Sequence, residues 1–190
     1  MNNPYQEADL IKIVQKTLVG VLGCDEADVG PDVALGNDLD ADSLDFVELR
    51  YSLEKQLGIV LPQKSVLDHL GEVAGDGEVY EQGRLSELAA FALQHSFFKY
   101  TPVQVKQGML PYDVMGVATV ANWARLCRGI LDTLPQQCPD CAHDRALVSP
   151  VGKPVCAGCG TQVKPRTGDA AMAAAMPGVL AVWQQQTVTA

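Results

Sequence analysis

Gly36-Asn37-Asp38-Leu39-Asp40-Ala41-Asp42-Ser43-Leu44-Asp45-Phe46-Val47-Glu48-Leu49 is a loop of turn formers that runs into an acidic helix, with one serine at the junction. Phe46, Leu49, Leu53 and Leu57 recur at helical spacing and predict a core stripe. Leu44, Val47 and Tyr51 fall on a neighbouring stripe that includes the serine side. Gly58 stops the helix, and Ile59-Val60-Leu61-Pro62 leaves it extended. Asp42 and Asp45 flank the helix start, where the macrodipole favours negative charge. Serine commonly caps helices, so Asp42-Ser43-Leu44 alone says little. The segment from Gly36 to Pro62, taken whole, says more.

Upstream, Leu10, Ile11, Val14 and Leu18 predict an amphipathic helix. A loop rich in Gly, Pro, Asp and Asn follows, from Gly23 to Ala41. This order, closing with Gly58-Ile59-x-x-Pro62, resembles the prosthetic-group region of acyl carrier proteins. The resemblance implies a phosphopantetheine arm on Ser43, installed by a phosphopantetheinyl transferase. The arm's thiol would hold an acyl group for acyl-loading, condensing or transferase enzymes of a fatty-acid, polyketide or related specialised pathway. The resemblance also implies that Asp42, Leu44, Asp45, Val47, Glu48 and Tyr51 form the face those enzymes read. Arg50 departs from the family, which usually has an aliphatic residue there. Its charge must snorkel or find a partner.

Charge is unevenly spread. The net charge is −9, and residues 1–71 hold 13 acids against 5 bases, a net of −8. Residues 135–168 hold 2 acids against 4 bases, a net of +2. Acidity on the carrier-like part suits basic partner surfaces, where complementary fields speed encounter. It argues against nucleic acid as a partner. No secretory signal and no run long enough to cross a bilayer is visible, so a cytoplasmic location is expected; the expected oligomeric state is a monomer. His69, His95 and His143 sit far apart, and no nucleophile–base–orienter set is seen. The expectation is a carrier with no catalytic residue, not an enzyme.

Beyond Pro62, Ser65 to Leu70 predicts a short helix, and Gly71 to Gly77 a linker or turn. A helix is expected from about Leu85 to Phe97. Thr119 is placed to cap another, with Val120, Trp123, Leu126, Cys127, Ile130 and Leu131 facing inward. Carrier proteins usually close with Thr-Val and an amphipathic helix, so residues 72–117 read as a helical insertion before it. The alternative is that Leu85–Leu93 is the closing helix and the later helix belongs to a second domain. Phe97, Phe98, Tyr100, Met109, Leu110, Tyr112 and Met115 are candidates for an acyl pocket or docking surface, against an ordinary core role.

Cys138-Pro139-Asp140-Cys141 and Cys156-Ala157-Gly158-Cys159 form a second, independent motif. Two Cys-x-x-Cys knuckles separated by 14 residues read as a four-cysteine zinc site, each turn aiming two thiolates at one point. The stretch between them reads as a hairpin, and the segment resembles a zinc ribbon. Redox pairs and disulfides are the rivals. A protein-docking or structural role suits the ribbon better than a nucleic-acid one. His143 is surplus to the four cysteines, Cys127 reads as core and Cys24 as loop. The alternative function is a zinc-ribbon adaptor whose helices merely mimic a carrier.

The expected fold class is mainly α. A carrier-type helical bundle spans 1–134 with the insertion at 72–117, a small zinc ribbon of β-hairpins spans 135–166, and 167–190 is a tail. In the tail, Met172, Met176, Val179, Leu180, Val182 and Trp183 would make a short docking helix, with disorder as the other possibility.

Overall fold

In the computed structural model, which describes residues 1–188, the first helix, α1 (Glu7–Leu22), buries Leu10, Val14 and Leu18. It ends at Gly23, whose φ of 65° gives the left-handed cap that glycine adopts without strain. The second, α2 (Ser43–Leu57), packs against α1 and buries Leu49, Leu53 and Leu57. The loop between them is not slack. The Leu35 N–H donates to the Ala118 carbonyl at 3.0 Å and the Asn37 N–H to the Gly116 carbonyl at 3.0 Å. A Cβ on Gly36 would stand 2.8 Å from the Gly116 Cα, so glycine is required for this approach.

Arg50 finds partners instead of lying loose in the core. Its Nη2 donates to the Leu61 carbonyl at 3.1 Å, and its Nε lies 3.6 Å from Glu54 Oε1. The same Glu54 oxygen accepts the Leu61 N–H at 2.8 Å. The pair therefore holds the exit from α2.

The expected linker at Gly71–Gly77 is corrected by the structure. Helix α3 (Val66–Ala74), capped by Ser65, runs straight through a buried Gly71. A Cβ there would come within 2.4 Å of Asp76 Oδ1, the tip of an exposed side chain that can turn away, so Gly71 is a helix residue and not part of a linker. A short helix, α4 (Asp76–Val79), follows at once. Next come β1 (Tyr80–Glu81) and β2 (Arg84–Leu85), an antiparallel hairpin pairing Tyr80 with Leu85. Leu85 is thus a strand residue. The helix expected from there, α5 (Glu87–His95), starts only after Ser86, whose side chain accepts the Ala89 N–H. An irregular stretch and a short turn, α6 (Asp113–Gly116), lead to α7 (Val120–Leu131).

Thr119 caps α7 in a reciprocal box with Asn122. Val120, Trp123, Leu126, Cys127, Ile130 and Leu131 are all buried, and α7 lies along α1. Two strands, β3 (Ala146–Val148) and β4 (Pro154–Cys156), form the second hairpin, with Ala146 opposite Cys156. The chain is therefore mainly helical, with few and short strands.

The tail forms a 21-residue helix, α8 (Gly168–Val188), on α3 and α5. Met172 and Met176 are buried, and the Trp183 ring lies 5.2 Å from that of Phe91. Positions 189 and 190 lie outside the described residues. The Gly168 N–H donates to the Val60 carbonyl at 2.7 Å, and a Cβ at Gly168 would meet Pro62 N at 2.3 Å. Asp169 accepts the N–H groups of Gln63 and Lys64 and lies 3.1 Å from Nε2 of the buried His69. Burial pushes the Asp169 carboxyl up, but those two N–H bonds and His69 outweigh it and hold the carboxyl below its ordinary value. Among the described residues, no helix is long and apolar enough to cross a membrane.

Candidate functional site

Ser43 is the first residue of α2, and the capping is done by its neighbour. Asp42 adopts extended φ/ψ, and its Oδ1 accepts the N–H groups of Leu44 at 2.7 Å and Asp45 at 3.1 Å. Asp45 Oδ2 accepts the Asp42 N–H in return, at 2.8 Å. Asp42 and not Ser43 is therefore the cap, and Ser43 begins the helix. Its side chain is exposed and makes no hydrogen bond among the described residues. An exposed hydroxyl at the tip of a rigid helix, backed by a loop bonded to the α6–α7 junction, is placed to accept a covalent group.

The six residues expected to face partners surround it. Asp42 and Glu48 are exposed, Asp45 is half-buried, and Leu44, Val47 and Tyr51 are exposed by 75%, 64% and 64%. Three large apolar side chains in water beside acids are unlike the buried stripe on the same helix.

A cavity of about 480 Å³ opens beside α2. Phe98, Tyr100, Tyr112 and Met115 line it, as the sequence suggested; Phe97, Met109 and Leu110 do not. Phe97 packs instead on Gly129, where a Cβ would lie 2.7 Å from its ring. Phe46, Val47 and Trp123 line the cavity as well, although periodicity assigned Phe46 and Trp123 only to the core. No sequence signal marks this, because the walls come from segments up to 80 residues apart, Phe46 to Leu126. Burial pushes the Tyr100 phenol well above its ordinary value, so it stays protonated and able to donate.

The four cysteines converge. Cys138 Sγ lies 3.7 Å from Cys159 Sγ, Cys141 Sγ 3.5 Å from Cys156 Sγ, and all four sulfurs sit within 4.8 Å of one another. A tetrahedron with Zn–S bonds of about 2.3 Å has edges of about 3.8 Å, so the donor set fits a zinc ion. The knuckles are equivalent: the N–H of Ala142 donates to the Cys138 carbonyl, and that of Gly160 to the Cys156 carbonyl, both at 2.9 Å. Both residues have left-handed φ, 58° and 76°. Hydrogen bonds from Thr161 draw the Cys159 thiol down to about 6. His143 is exposed and outside the cluster, Cys127 is buried, and Cys24 is half-buried.

The description "phosphopantetheine attachment site" belongs to a family whose model matches residues 12–75, a span that includes Ser43. An acyl carrier protein of Rubrobacter xylanophilus is 38% identical over 56 residues, covering 30% of this chain and 69% of that protein. One of Treponema denticola is 43% identical over 56 residues, covering 30% of this chain and 72% of that protein. The chain belongs to the acyl carrier protein family, whose members bear phosphopantetheine. No solved structure matches it. The ribbon and α8 lie beyond the residues matched by the family model.

Proposed function

We propose that this chain is a carrier and not an enzyme, that Ser43 receives the phosphopantetheine arm, and that the loaded chain serves enzymes of a fatty-acid, polyketide or related specialised pathway. The observation that carries this is the exposed, unbonded Ser43 hydroxyl at the start of a helix already capped by Asp42. Once attached, the arm supplies a terminal thiol that holds an acyl group as a thioester. Ser43 supplies the anchoring oxygen, and α2 holds it at the edge of the molecule. Asp42, Leu44, Asp45, Val47, Glu48 and Tyr51 meet the phosphopantetheinyl transferase and the acyl-loading, condensing or transferase enzymes. Their exposure and mixed acidic–apolar character support this role. Residues 1–134 form the carrier domain with 72–117 as its insertion, supported by the packing of α7 on α1.

Cys138, Cys141, Cys156 and Cys159 hold a structural zinc ion in the segment 135–166. The ribbon also meets a partner. Leu147, Val148 and Val151 stand exposed on it, near Arg145 and Lys153 in the chain. The test is to isolate the chain from its native host and treat it with neutral hydroxylamine, which cleaves thioesters. Release of an acyl hydroxamate from the wild type, and none from Ser43→Ala, is expected. No release from either would oppose the carrier reading. Loss of residues 136–190 without effect on acyl transfer would remove the docking role of the ribbon.

A further inference from the structure

The cavity beside α2 is walled by a chain of rings. Phe46 stacks on Trp123 with centroids 6.1 Å apart, Trp123 meets Phe98 edge-on at 5.8 Å, and Phe98 stacks on Tyr100 at 5.4 Å. All four line the cavity. The series begins beside Ser43: Phe46 and Val47 are its i+3 and i+4 neighbours, about 4.5 Å and about 6 Å further along the helix axis. Tyr100 and Phe98 come from the stretch between α5 and α6, so residues 72–117 build much of the far wall.

Two donors in this wall have no protein acceptor among the described residues, and they differ in their access to solvent. Trp123 Nε1 is buried without a partner. Tyr100 is 3% exposed, and its Oη makes no hydrogen bond among the described residues. Nearly all buried polar groups in folded proteins are paired, and Trp123 Nε1 is an exception, whereas Tyr100 Oη is not fully buried and keeps contact with solvent. A saturated chain would displace the solvent that Tyr100 Oη reaches and leave that donor unmet; an oxygen-bearing cargo would meet it. Aromatic walls also favour flat or unsaturated groups, which stack on ring faces. At roughly 30 Å³ per water-sized atom, the cavity suits cargo of on the order of a dozen non-hydrogen atoms.

We propose that this cavity holds a medium-sized acyl group with an acceptor oxygen beyond its thioester, on a ring or along a chain, and that Tyr100 selects that oxygen. This rests on the carrier reading of Ser43 and deepens it. Tyr100 acts here as a specificity residue, donating to the cargo oxygen while Phe98 and Trp123 pack its flat faces.

The test loads the full chain from coenzyme A thioesters of three cargos: octanoyl, its keto analogue and hydroxyphenylpropanoyl. Intact mass confirms each loading, and hydroxylamine cleavage of the thioester reports shielding. A parallel readout needs no loading. In a Ser43→Ala, Trp183→Phe background, Trp123 is the remaining tryptophan, and its fluorescence is titrated with the free pantetheine thioesters. The expected result is that one or both oxygenated cargos are cleaved about tenfold more slowly than octanoyl and bind about tenfold more tightly. Protection of the keto chain alone identifies a chain cargo, and of the phenol alone an aryl one. Tyr100→Phe, which removes one oxygen from the wall, narrows the gap at least about threefold. Equal cleavage and equal binding of all three cargos would overturn the inference, as would a gap unchanged in Tyr100→Phe. A chain that takes no arm at all would sink the carrier reading itself, and the mass measurement separates that failure from this one.

Discussion

Four N–H groups at a helix start have no partner inside the helix, and at α2 Asp42 takes two of them. That division of labour leaves Ser43 free. Asp42→Ala should cost about 1 kcal/mol in urea unfolding, the usual loss for a cap. Ser43→Ala should change stability by less than about 0.5 kcal/mol, because its exposed side chain bonds to nothing in the described residues. The pair of variants separates the capping residue from the proposed attachment residue. If Ser43→Ala proved the more damaging to stability, the serine would be a helix cap after all. Both roles were half legible in the sequence. The tripeptide marked the junction, but nothing in it distinguished which of two adjacent side chains turns back onto the backbone.

The helices and the ribbon each have a point of failure. Asp169 fastens α8 to the loop after α2 through Gln63 and Lys64, and to α3 through His69. Its carboxyl is held below the ordinary 3.8, so its contribution is present above that value and is lost as pH falls through the folded value. Asp169→Asn should cost ~1–2 kcal/mol at neutral pH. The gap between its urea midpoint and that of the wild type should shrink below about pH 4 and stay constant above about pH 5. A gap independent of pH would mean the carboxylate charge contributes nothing. On the proposed zinc reading the ribbon depends on metal instead, since its own core among the described residues is Leu134, Cys138, Ala146, Cys156 and Val163, with Met1 packed beside it. Structural zinc contributes on the order of 10 kcal/mol to folding of such segments. Chelation should therefore release one zinc per chain and expose the amides of 135–166 to hydrogen exchange while α1, α2 and α7 stay protected. Retained protection after metal removal would contradict a zinc-built ribbon.

Across the whole molecule, charge is the leading field. Residues 1–71, which include Ser43, carry a net −8, so transferase loading should slow several-fold as ionic strength rises from about 0.01 M to about 1 M, where the Debye length falls from about 30 Å to about 3 Å. A rate indifferent to salt would remove electrostatic steering from the account. Local features were readable from the chain because they repeat or punctuate: the Leu49–Leu53–Leu57 stripe, Gly58, Thr119 and the paired cysteines. Gly71 misled because glycine signals a turn by propensity, whereas here it lies buried inside α3. The His69–Asp169 contact and the ring series from Phe46 to Tyr100 bring together residues distant in sequence, which no periodicity reports. The most direct measurement is the intact mass of the full chain after incubation with coenzyme A and a broad-specificity phosphopantetheinyl transferase, beside Ser43→Ala. A gain of one phosphopantetheine in the wild type and none in the variant is predicted; an unchanged wild-type mass, or an equal gain in the variant, would contradict Ser43 as the point of attachment.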